Sequence, residues 1–291
     1  MCVSNGARAK RSGFICFNVN AKIFEKVGIF MKMKKVLALI AGCAFAVFAL
    51  AGCGGSSNTS SGSSSGAKVL KVGSSIDFAP FEFQDESQKD YQGFDMDLIR
   101  AIAKEMGYEV DIQNLGFDGL IPALQGKNID VIISGMTIND ERKQNVLFSD
   151  PYYQSGLTMV VRSDEKAITK FSDLKGKKVA VQIGTTSEAE VKKIEGVEVK
   201  VLNTPADCFM ELKAGGVDAV VNDRPVNDYF ITKNGAQGVK ALEEKLTAED
   251  YGIAIGKDNK ELQEKVNAAL KKLKENGEYD KIFAKWFGEK K

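Results

Sequence analysis

The feature that most restricts the possible folds is an alternation of short β-like runs with helical patterns, which begins at Lys68. β-Branched residues dominate 129–133 and 217–221, as in parallel strands that are covered on both faces. Similar runs at 69–72 and 179–181 are separated from these by segments whose apolar residues recur every three or four positions. This alternation predicts an α/β fold.

Two stretches of the chain match in form. Residues 124–133 (LQGKNIDVII) and 212–221 (LKAGGVDAVV) each contain a helix end, a glycine turn, an aspartate and a β-branched strand. We interpret them as equivalent elements of two similar Rossmann-like lobes. Ligands of open α/β sheets bind outside the carboxyl ends of strands, which here are Ser134-Gly135 and Asn222-Asp223. If the lobes face each other, these two ends flank one cleft.

Helix boundaries are predicted from polar and glycine residues. Asp95 or Asp97 is expected to cap a helix that ends at Gly107. Near the end of the chain, two helices are predicted at about 260–275 and 279–287, with apolar residues at the spacing of a core-facing surface.

Composition excludes several classes of chemistry. The 291 residues include no histidine, so Ser-His-Asp and Cys-His catalysis and histidine-bound zinc or haem are impossible. Residues 1–52 contain eight of the 40 basic residues and one of the 39 acidic ones, so the remainder is acidic. An acidic body argues against a nucleic-acid partner, and the sequence implies no cofactor and no metal.

The N-terminal part of the chain has the pattern of an export signal. Three lysines at 32–35 precede an apolar run at 36–49, like the charged and apolar regions of a signal peptide. The run ends in Leu50-Ala51-Gly52-Cys53, which resembles the bacterial lipobox, whose cysteine receives a diacylglyceryl group. Cys53 is therefore the expected lipid attachment site. The alternative is a transmembrane anchor, although the Ser/Gly tract that follows favours cleavage.

These patterns divide the region before the folded body. Residues 1–30 are interpreted as a gene-model extension, with Met31 or Met33 as the start, residues 31–52 as a lipoprotein signal peptide, and residues 53–67 as a flexible Ser/Gly linker. Cys208 would then be the remaining free thiol, which we expect to be buried as a small apolar group.

Five motifs in a fixed order resemble one family. The motifs are DFAPFEF at 77–83, GFDMDL at 93–98, FDGLIPAL at 117–124, SGMTINDER at 134–142 followed by FSDPYY at 148–153, and KIFAKWFG at 281–288. The ordered set resembles the extracellular solute-binding proteins of polar-amino-acid ABC transporters (family 3, type II periplasmic-binding fold), with the greatest similarity to glutamine-binding proteins. The likeness extends over essentially all of 68–291.

The resemblance implies two lobes joined by a two-strand hinge. Lobe 1 would comprise 68–152 and 252–291, lobe 2 would comprise 157–246, and the hinge would lie at 153–156 and 247–251. Two crossings of this kind permit closure around a ligand. The resemblance also implies that the protein acts as a monomer.

A free amino acid carries a carboxylate and an ammonium, and burial of both requires fixed opposite charges. The family's clamp arginine corresponds to Arg142, which can pair with a carboxylate through two parallel hydrogen bonds. Thr137 can offer its N–H to the carboxylate and accept from the ammonium at its hydroxyl. Gly135 can present its C=O without the obstruction of a Cβ. The N–H of Thr186, at the start of a helix, is expected to be a second carboxylate donor.

The ammonium and the aliphatic stem need other partners. Asp223, at the end of the lobe 2 strand, is the expected charge partner of the ammonium. Phe78 and Phe117 are expected to sandwich the stem, although plain core packing is the usual role of phenylalanine.

Selectivity must come from groups around the ligand's side-chain tip. Family members that bind arginine, lysine or histidine carry an acid where this chain has Ser75, and the glutamine binder has a lysine where this chain has Gln182. A neutral rim of Ser75 and Gln182 favours an uncharged polar ligand such as glutamine. Nearby Asp77, Glu82 and Asp118 leave open an arginine-, lysine-, histidine- or cystine-type ligand.

We expect the protein to be the substrate-binding component of an amino-acid ABC importer. A lipid anchor would hold it on the outer side of the membrane, and its protein partner would be the permease of the importer. The alternative on the same fold is an enzyme like the cyclohexadienyl dehydratases. Such an enzyme needs a general acid in the cleft, for which Glu82 or Asp118 is the candidate.

Overall fold

The computed structural model describes residues 68–85, 87, 89–233 and 237–289. The predicted extension at 1–30, the signal at 31–52, and the linker with its lipid-accepting Cys53 lie outside the described residues. The eight helices of the described part are α1 (Phe94–Met106), α2 (Leu120–Gln125), α3 (Asp140–Lys143), α4 (Thr186–Val191), α5 (Pro205–Lys213), α6 (Arg224–Lys233), α7 (Lys260–Glu275) and α8 (Glu278–Phe287).

Lobe 1 is built on a five-stranded sheet in the order β2-β1-β3-β12-β4. β1 pairs in parallel with β2 and β3, whereas β12 runs antiparallel to β3 and β4. The apolar sides of α1 and α7 pack on this sheet, and α8 packs against these two helices, so the last two helices face the core as their apolar spacing predicts. The strands are β1 (Lys68–Ser74), β2 (Tyr108–Asn114), β3 (Val131–Ile132), β4 (Val146–Phe148) and β12 (Ala254–Gly256).

Lobe 2 repeats the arrangement on a second five-stranded sheet, in the order β10-β6-β9-β7-β8. β7 pairs in parallel with β8 and β9, and β6 joins β9 to β10 through antiparallel pairs. The strands are β6 (Leu157–Arg162), β7 (Lys178–Gln182), β8 (Glu198–Leu202), β9 (Ala219–Asp223) and β10 (Val239–Ala241).

The two matched stretches are structurally equivalent, as predicted. Asp130 precedes β3, and its carboxylate and N–H bond the backbone N–H and C=O of Lys71 in β1. Asp218 precedes β9 and makes the same pair of hydrogen bonds to Lys178 in β7. Each aspartate thus ties the start of one parallel strand to its neighbour, which explains its place in both stretches.

The lobes are joined by a two-stranded antiparallel ladder of β5 (Tyr153–Ser155) and β11 (Glu249–Tyr251). Beside it, the second crossing passes so close to the first that a Cβ on Gly156 would lie 2.4 Å from the carbonyl oxygen of Thr247. No side chain fits at that distance, so glycine is required where the crossings meet.

The start of α1 differs from the prediction. Gly93 is the N-cap and no side chain caps the helix, because Asp95 turns inward to accept hydrogen bonds from Gly135 N–H and the Tyr152 hydroxyl. The other end is as predicted, since Gly107 ends the helix at a φ of 76°, a left-handed conformation that glycine adopts without strain.

Two further expectations can be compared with the described residues. Cys208 is a free, buried thiol, as predicted, and burial raises its pKa to about 12. Within the same part of the chain, no helix combines the length and the apolar character that a membrane crossing demands.

Candidate functional site

The candidate site lies where the carboxyl ends of the central strands of both lobes meet. Ser75 and Ser134 follow β1 and β3 in lobe 1, and Gln182 and Asp223 end β7 and β9 in lobe 2. The two lobes are in direct contact here, because Arg142 of lobe 1 donates a hydrogen bond to the carbonyl of Gly184 in lobe 2 over 3.1 Å. Of the nine predicted site residues, six belong to lobe 1 and three to lobe 2.

Arg142 is buried, with 8% of its surface exposed, although it follows a polar run on the short helix α3. Its Nη1 donates to the carbonyl of Thr137 over 2.9 Å, and its Cζ lies 5.3 Å from the centroid of the Phe117 ring. Burial lowers the pKa of Arg142, and the carboxyl groups of Glu249 and Asp223 oppose that shift. The guanidinium therefore stays charged beside two acids, held by a backbone bond and an aromatic face.

Thr137 and Thr186 come from different lobes and share one partner. Their hydroxyls donate to the same oxygen, Glu249 Oε2, over 2.8 Å and 3.0 Å. Glu249 is buried on the hinge strand β11, and its Oε1 accepts from Thr247 over 3.2 Å. The sequence predicts both threonines as ligand contacts, whereas the acid that joins them carries no sequence signal beyond its position in the hinge.

Asp223 is buried at 6% exposure at the end of β9. Ser155 Oγ donates to its Oδ1 over 2.7 Å, and the hydroxyl of Tyr251 donates to Ser155 over 3.1 Å. Burial raises the pKa of Asp223 to about 7, helped by the charge of Glu249 and opposed by these hydroxyls and by Arg142. The carboxyl group therefore keeps its proton to a higher pH than an exposed aspartate does.

Gly135 and Phe78 are packed against each other. Gly135 has a φ of +51°, and a Cβ there would lie 2.9 Å from the Phe78 ring, so the ring and the backbone touch because glycine has no side chain. Phe78 is buried and lies 6.0 Å from Phe81, centroid to centroid. Phe117 is half-buried and lies against the guanidinium of Arg142. The two rings therefore contact different residues, Gly135 in the case of Phe78 and Arg142 in the case of Phe117.

The neutral rim expected from Ser75 and Gln182 is contradicted by the structure. Ser75 Oγ donates to Asp77 Oδ1 over 3.2 Å, and Gln182 Nε2 donates to Asp77 Oδ2 over 3.2 Å from the other lobe. The two neutral side chains therefore hold a carboxyl group between them. Burial raises the pKa of Asp77 to about 6, against the effect of these hydrogen bonds, so the carboxyl group is mostly ionised at neutral pH.

The site consequently combines one clamp cation with three carboxyl groups. Arg142 is opposed by Glu249 and Asp223, and Asp77 lies apart from them at the end of β1. Such a set of charges suits a ligand that brings one negative and more than one positive group. Among the described residues, no group of three or more His, Cys, Asp and Glu side chains is arranged to hold a metal ion.

The role of Glu82 as a general acid in the cleft is contradicted by its position. Glu82 is fully buried, and its carboxyl group lies behind the Ser134 turn, where Ser134 Oγ donates to it over 2.8 Å. A substrate in the cleft cannot reach a group that is enclosed there. Asp118 is exposed and lies against Gly184 of lobe 2, so it remains accessible.

Two lobes that enclose a polar, charged cleft between hinged sheets define a ligand-capturing protein of the type II periplasmic-binding fold. Residues 70–289 match the family of bacterial extracellular solute-binding proteins, family 3. The chain belongs to this family.

Known proteins are similar over most of the chain. The arginine-binding extracellular protein ArtP of Bacillus subtilis is 40% identical over 264 residues, which are 89% of this chain and 100% of ArtP. An ancestral arginine-binding protein was solved with glutamine (50% identity, TM-score 0.73) and with arginine (49%, 0.74), each match covering 76% of this chain and 98% of the other. An ancestral amino-acid-binding protein, described as a precursor of cyclohexadienyl dehydratase, is 42% identical, with a TM-score of 0.70 and coverage of 75% and 95%.

Proposed function

We propose that the protein captures an amino acid with a cationic side chain, arginine above all, and presents it to the permease of an amino-acid ABC importer. The observation that carries the choice of ligand is the carboxyl group of Asp77, held between Ser75 of lobe 1 and Gln182 of lobe 2. Curated relatives named as arginine-binding proteins support the same choice.

In this proposal each charged group of the ligand has its own partner. Arg142 binds the α-carboxylate, with the N–H of Thr186 as a further donor, and Asp223 binds the α-ammonium. The stem runs past the ring of Phe78, which adjoins Asp77 in the chain. The guanidinium at its tip then meets Asp77, and its burial is compensated by a fixed anion.

Glutamine is the second candidate, because the rim also offers an amide and a hydroxyl. Gln182 Nε2 and Ser75 Oγ donate to Asp77. The side-chain amide of a glutamine ligand can accept from these donors through its oxygen and donate to Asp77 through its N–H₂. The structure of an ancestral arginine-binding protein with bound glutamine supports this candidate. A neutral tip leaves the charge of Asp77 without a cation, so glutamine should bind more weakly.

The test is calorimetric titration of protein that has been unfolded, freed of ligand and refolded. Arginine is expected to bind at least about tenfold more tightly than glutamine, because a buried charge pair contributes more than a neutral contact. Glycine is the control, because it has the α-carboxylate and α-ammonium that every amino acid carries but no side chain to contact the rim. Tighter binding of glutamine than of arginine would refute the cationic preference, and binding of no amino acid would refute the proposal as a whole.

Binding is also expected to release protons. Burial raises the pKa of Asp223 towards neutrality, and an ammonium placed beside it favours the ionised form, so binding at pH 7 should release protons. The release should decrease as the pH rises, because Asp223 is then already ionised before the ligand binds. Titrations in phosphate and Tris buffers measure it, because their ionisation enthalpies differ. Equal binding enthalpies in both buffers at pH 7 would contradict the pairing.

We also propose the arrangement of the chain around this function. Closure occurs about the segments 153–156 and 247–251, the protein acts as a monomer, and a diacylglyceryl group on Cys53 tethers it to the outer side of the membrane. Mass spectrometry of the membrane fraction tests the anchor, since Cys53→Ala should abolish the lipid adduct and release the protein from the membrane.

We propose binding without catalysis. The buried position of Glu82 removes one of the two acids considered for a dehydratase, and the relatives named as binding proteins agree with a non-enzymatic role. Turnover of prephenate or arogenate by the purified protein would contradict this.

A further inference from the structure

Two acids of lobe 1 lie behind the binding turn and have no part in the proposed ligand contacts. Glu82 and Asp95 are both 0% exposed. Glu82 follows Phe81 in the aromatic core of lobe 1, and Asp95 lies in the first turn of α1. Complete burial of two carboxyl groups side by side requires a physical explanation, because each charge loses its hydration.

Each acid has one oxygen that is well satisfied. Ser134 Oγ donates to Glu82 Oε1 over 2.8 Å. Gly135 N–H and the Tyr152 hydroxyl donate to Asp95 Oδ2 over 2.8 Å and 2.7 Å. The other oxygens, Glu82 Oε2 and Asp95 Oδ1, are buried and accept from no donor in the described part of the chain.

The two carboxyl groups bond adjacent residues of one turn, Ser134 and Gly135, and each of them shifts the pKa of the other. Two adjacent carboxylates in a dry interior would repel each other and leave both orphan oxygens without a proton. One proton placed between them removes one charge and satisfies both oxygens. We propose that Glu82 and Asp95 share a single proton carried by Glu82, and that this proton-bridged pair holds the Ser134-Gly135 turn in its binding position.

The surroundings indicate which acid carries the proton. Asp95 accepts two hydrogen bonds besides the shared one, which stabilise its ionised form, whereas Glu82 accepts one. Burial and the charge of Asp95 raise the pKa of Glu82 well above its usual value. The other titratable groups that act on the pair, Asp77, Tyr152 and Tyr279, add no positive charge that would favour a second carboxylate.

The pair reaches the binding cleft through short, buried contacts. Ser134 Oγ, which donates to Glu82, accepts from the N–H of Ser75 over 3.0 Å. Gly135, whose N–H is held by Asp95, touches the Phe78 ring. The effect of the pair on ligand affinity rests on the proposed function, whereas the shared proton itself does not.

The first test is the pH dependence of stability without ligand. The folded protein keeps a proton on Glu82 that the unfolded chain loses above the usual pKa of 4.5, so folding takes up a proton and stability falls as the pH rises. Above about pH 6, where Asp95 is ionised, the unfolding constant of the wild type should rise relative to Glu82→Gln by up to tenfold per pH unit. Urea denaturation between pH 6 and 9 measures both.

Matched amide variants give a second test. In Glu82→Gln or Asp95→Asn, an amide N–H₂ can replace the bridging proton, so each single variant should fold and keep arginine affinity within about fivefold. In the double variant two amide nitrogens face each other. Its unfolding constant should therefore exceed the product of the single effects by at least about fivefold.

Infrared spectroscopy is the third test, because it detects the protonated carboxyl group directly. Two acids that merely stabilised the fold in their ionised forms would give no such band. At pH 7 the wild type should show a protonated-carboxyl C=O band that Glu82→Gln lacks. Three results would each contradict the shared proton. They are the same pH dependence of the unfolding constant in the wild type and Glu82→Gln, an effect of the double variant equal to the product of the single effects, and absence of the protonated-carboxyl band. If the pH dependence of stability, the non-additive unfolding constants and the infrared band are all as expected but arginine does not bind, the proposed function fails and the shared proton stands.

Discussion

Replacing Arg142 with alanine is expected to weaken amino-acid binding at least about 100-fold. The guanidinium is the cation at the centre of the cleft, and its removal leaves a ligand carboxylate facing Glu249 and Asp223 without compensation. Loss of one partner from a buried charge pair weakens binding by about 2–5 kcal/mol, which is roughly 30- to several thousand-fold. Titration calorimetry with arginine, and with glutamine as a second ligand, measures the loss.

Arg142 also bonds Thr137 and Gly184, so the variant needs controls that separate binding from folding. Arg142→Lys keeps the charge but loses the planar fork, and we expect an intermediate loss. Lys143→Ala removes the neighbouring exposed cation of α3 and should leave affinity unchanged. Arginine affinity within tenfold of the wild type in a folded Arg142→Ala protein would refute the clamp.

Asp77→Asn is expected to change the choice of ligand. Arginine affinity should fall at least about 30-fold, or about 2 kcal/mol, because the guanidinium of the ligand loses its fixed anion. Glutamine affinity should stay within about fivefold, since the asparagine oxygen can still accept from Gln182 Nε2 while its N–H₂ donates to the Ser75 hydroxyl, which can accept as well as donate. The ratio of the two dissociation constants is the measured quantity, because contacts to the shared zwitterion cancel in it.

The same ratio should depend on pH in the wild type. Asp77 has a pKa of about 6 without ligand, and only its ionised form attracts a cation. Arginine affinity relative to glutamine should therefore be highest above pH 6 and fall by up to tenfold per pH unit below it. Asp77→Asn should flatten this dependence. Asp118→Asn, which removes an exposed acid beside Gly184, is the control and should retain the pH dependence of the wild type. An unchanged ratio in Asp77→Asn would assign selectivity to other groups.

Sequence patterns predicted the fold well because its constraints are local and repeated. The matched stretches around Asp130 and Asp218 predict equivalent strands, since each aspartate bonds the neighbouring strand in the same way. The cap of α1 was predicted wrongly for a non-local reason. Asp95 has a residue type and a position suited to capping, but its carboxyl group bonds the turn after β3, a contact that no local pattern reveals.

The same contrast between local and non-local information holds for the site residues. Arg142 could be chosen because the resemblance places the family's clamp arginine there, and Asp223 because it ends a recognisable strand. The structure brings the two into electrostatic contact. Glu249 could not be chosen, because its partners Thr137 and Thr186 belong to opposite lobes and meet only through the hinge. The rim was judged neutral from Ser75 and Gln182, since sequence does not show which way Asp77 turns.

The paired crossings between the lobes have a mechanical consequence. β5 and β11 are paired in antiparallel register over three residues each, so the two crossings are tied to each other. Displacing one crossing against the other would break these pairs. In the proposed closure we therefore expect both crossings to deform together, as one connection rather than as two independent ones.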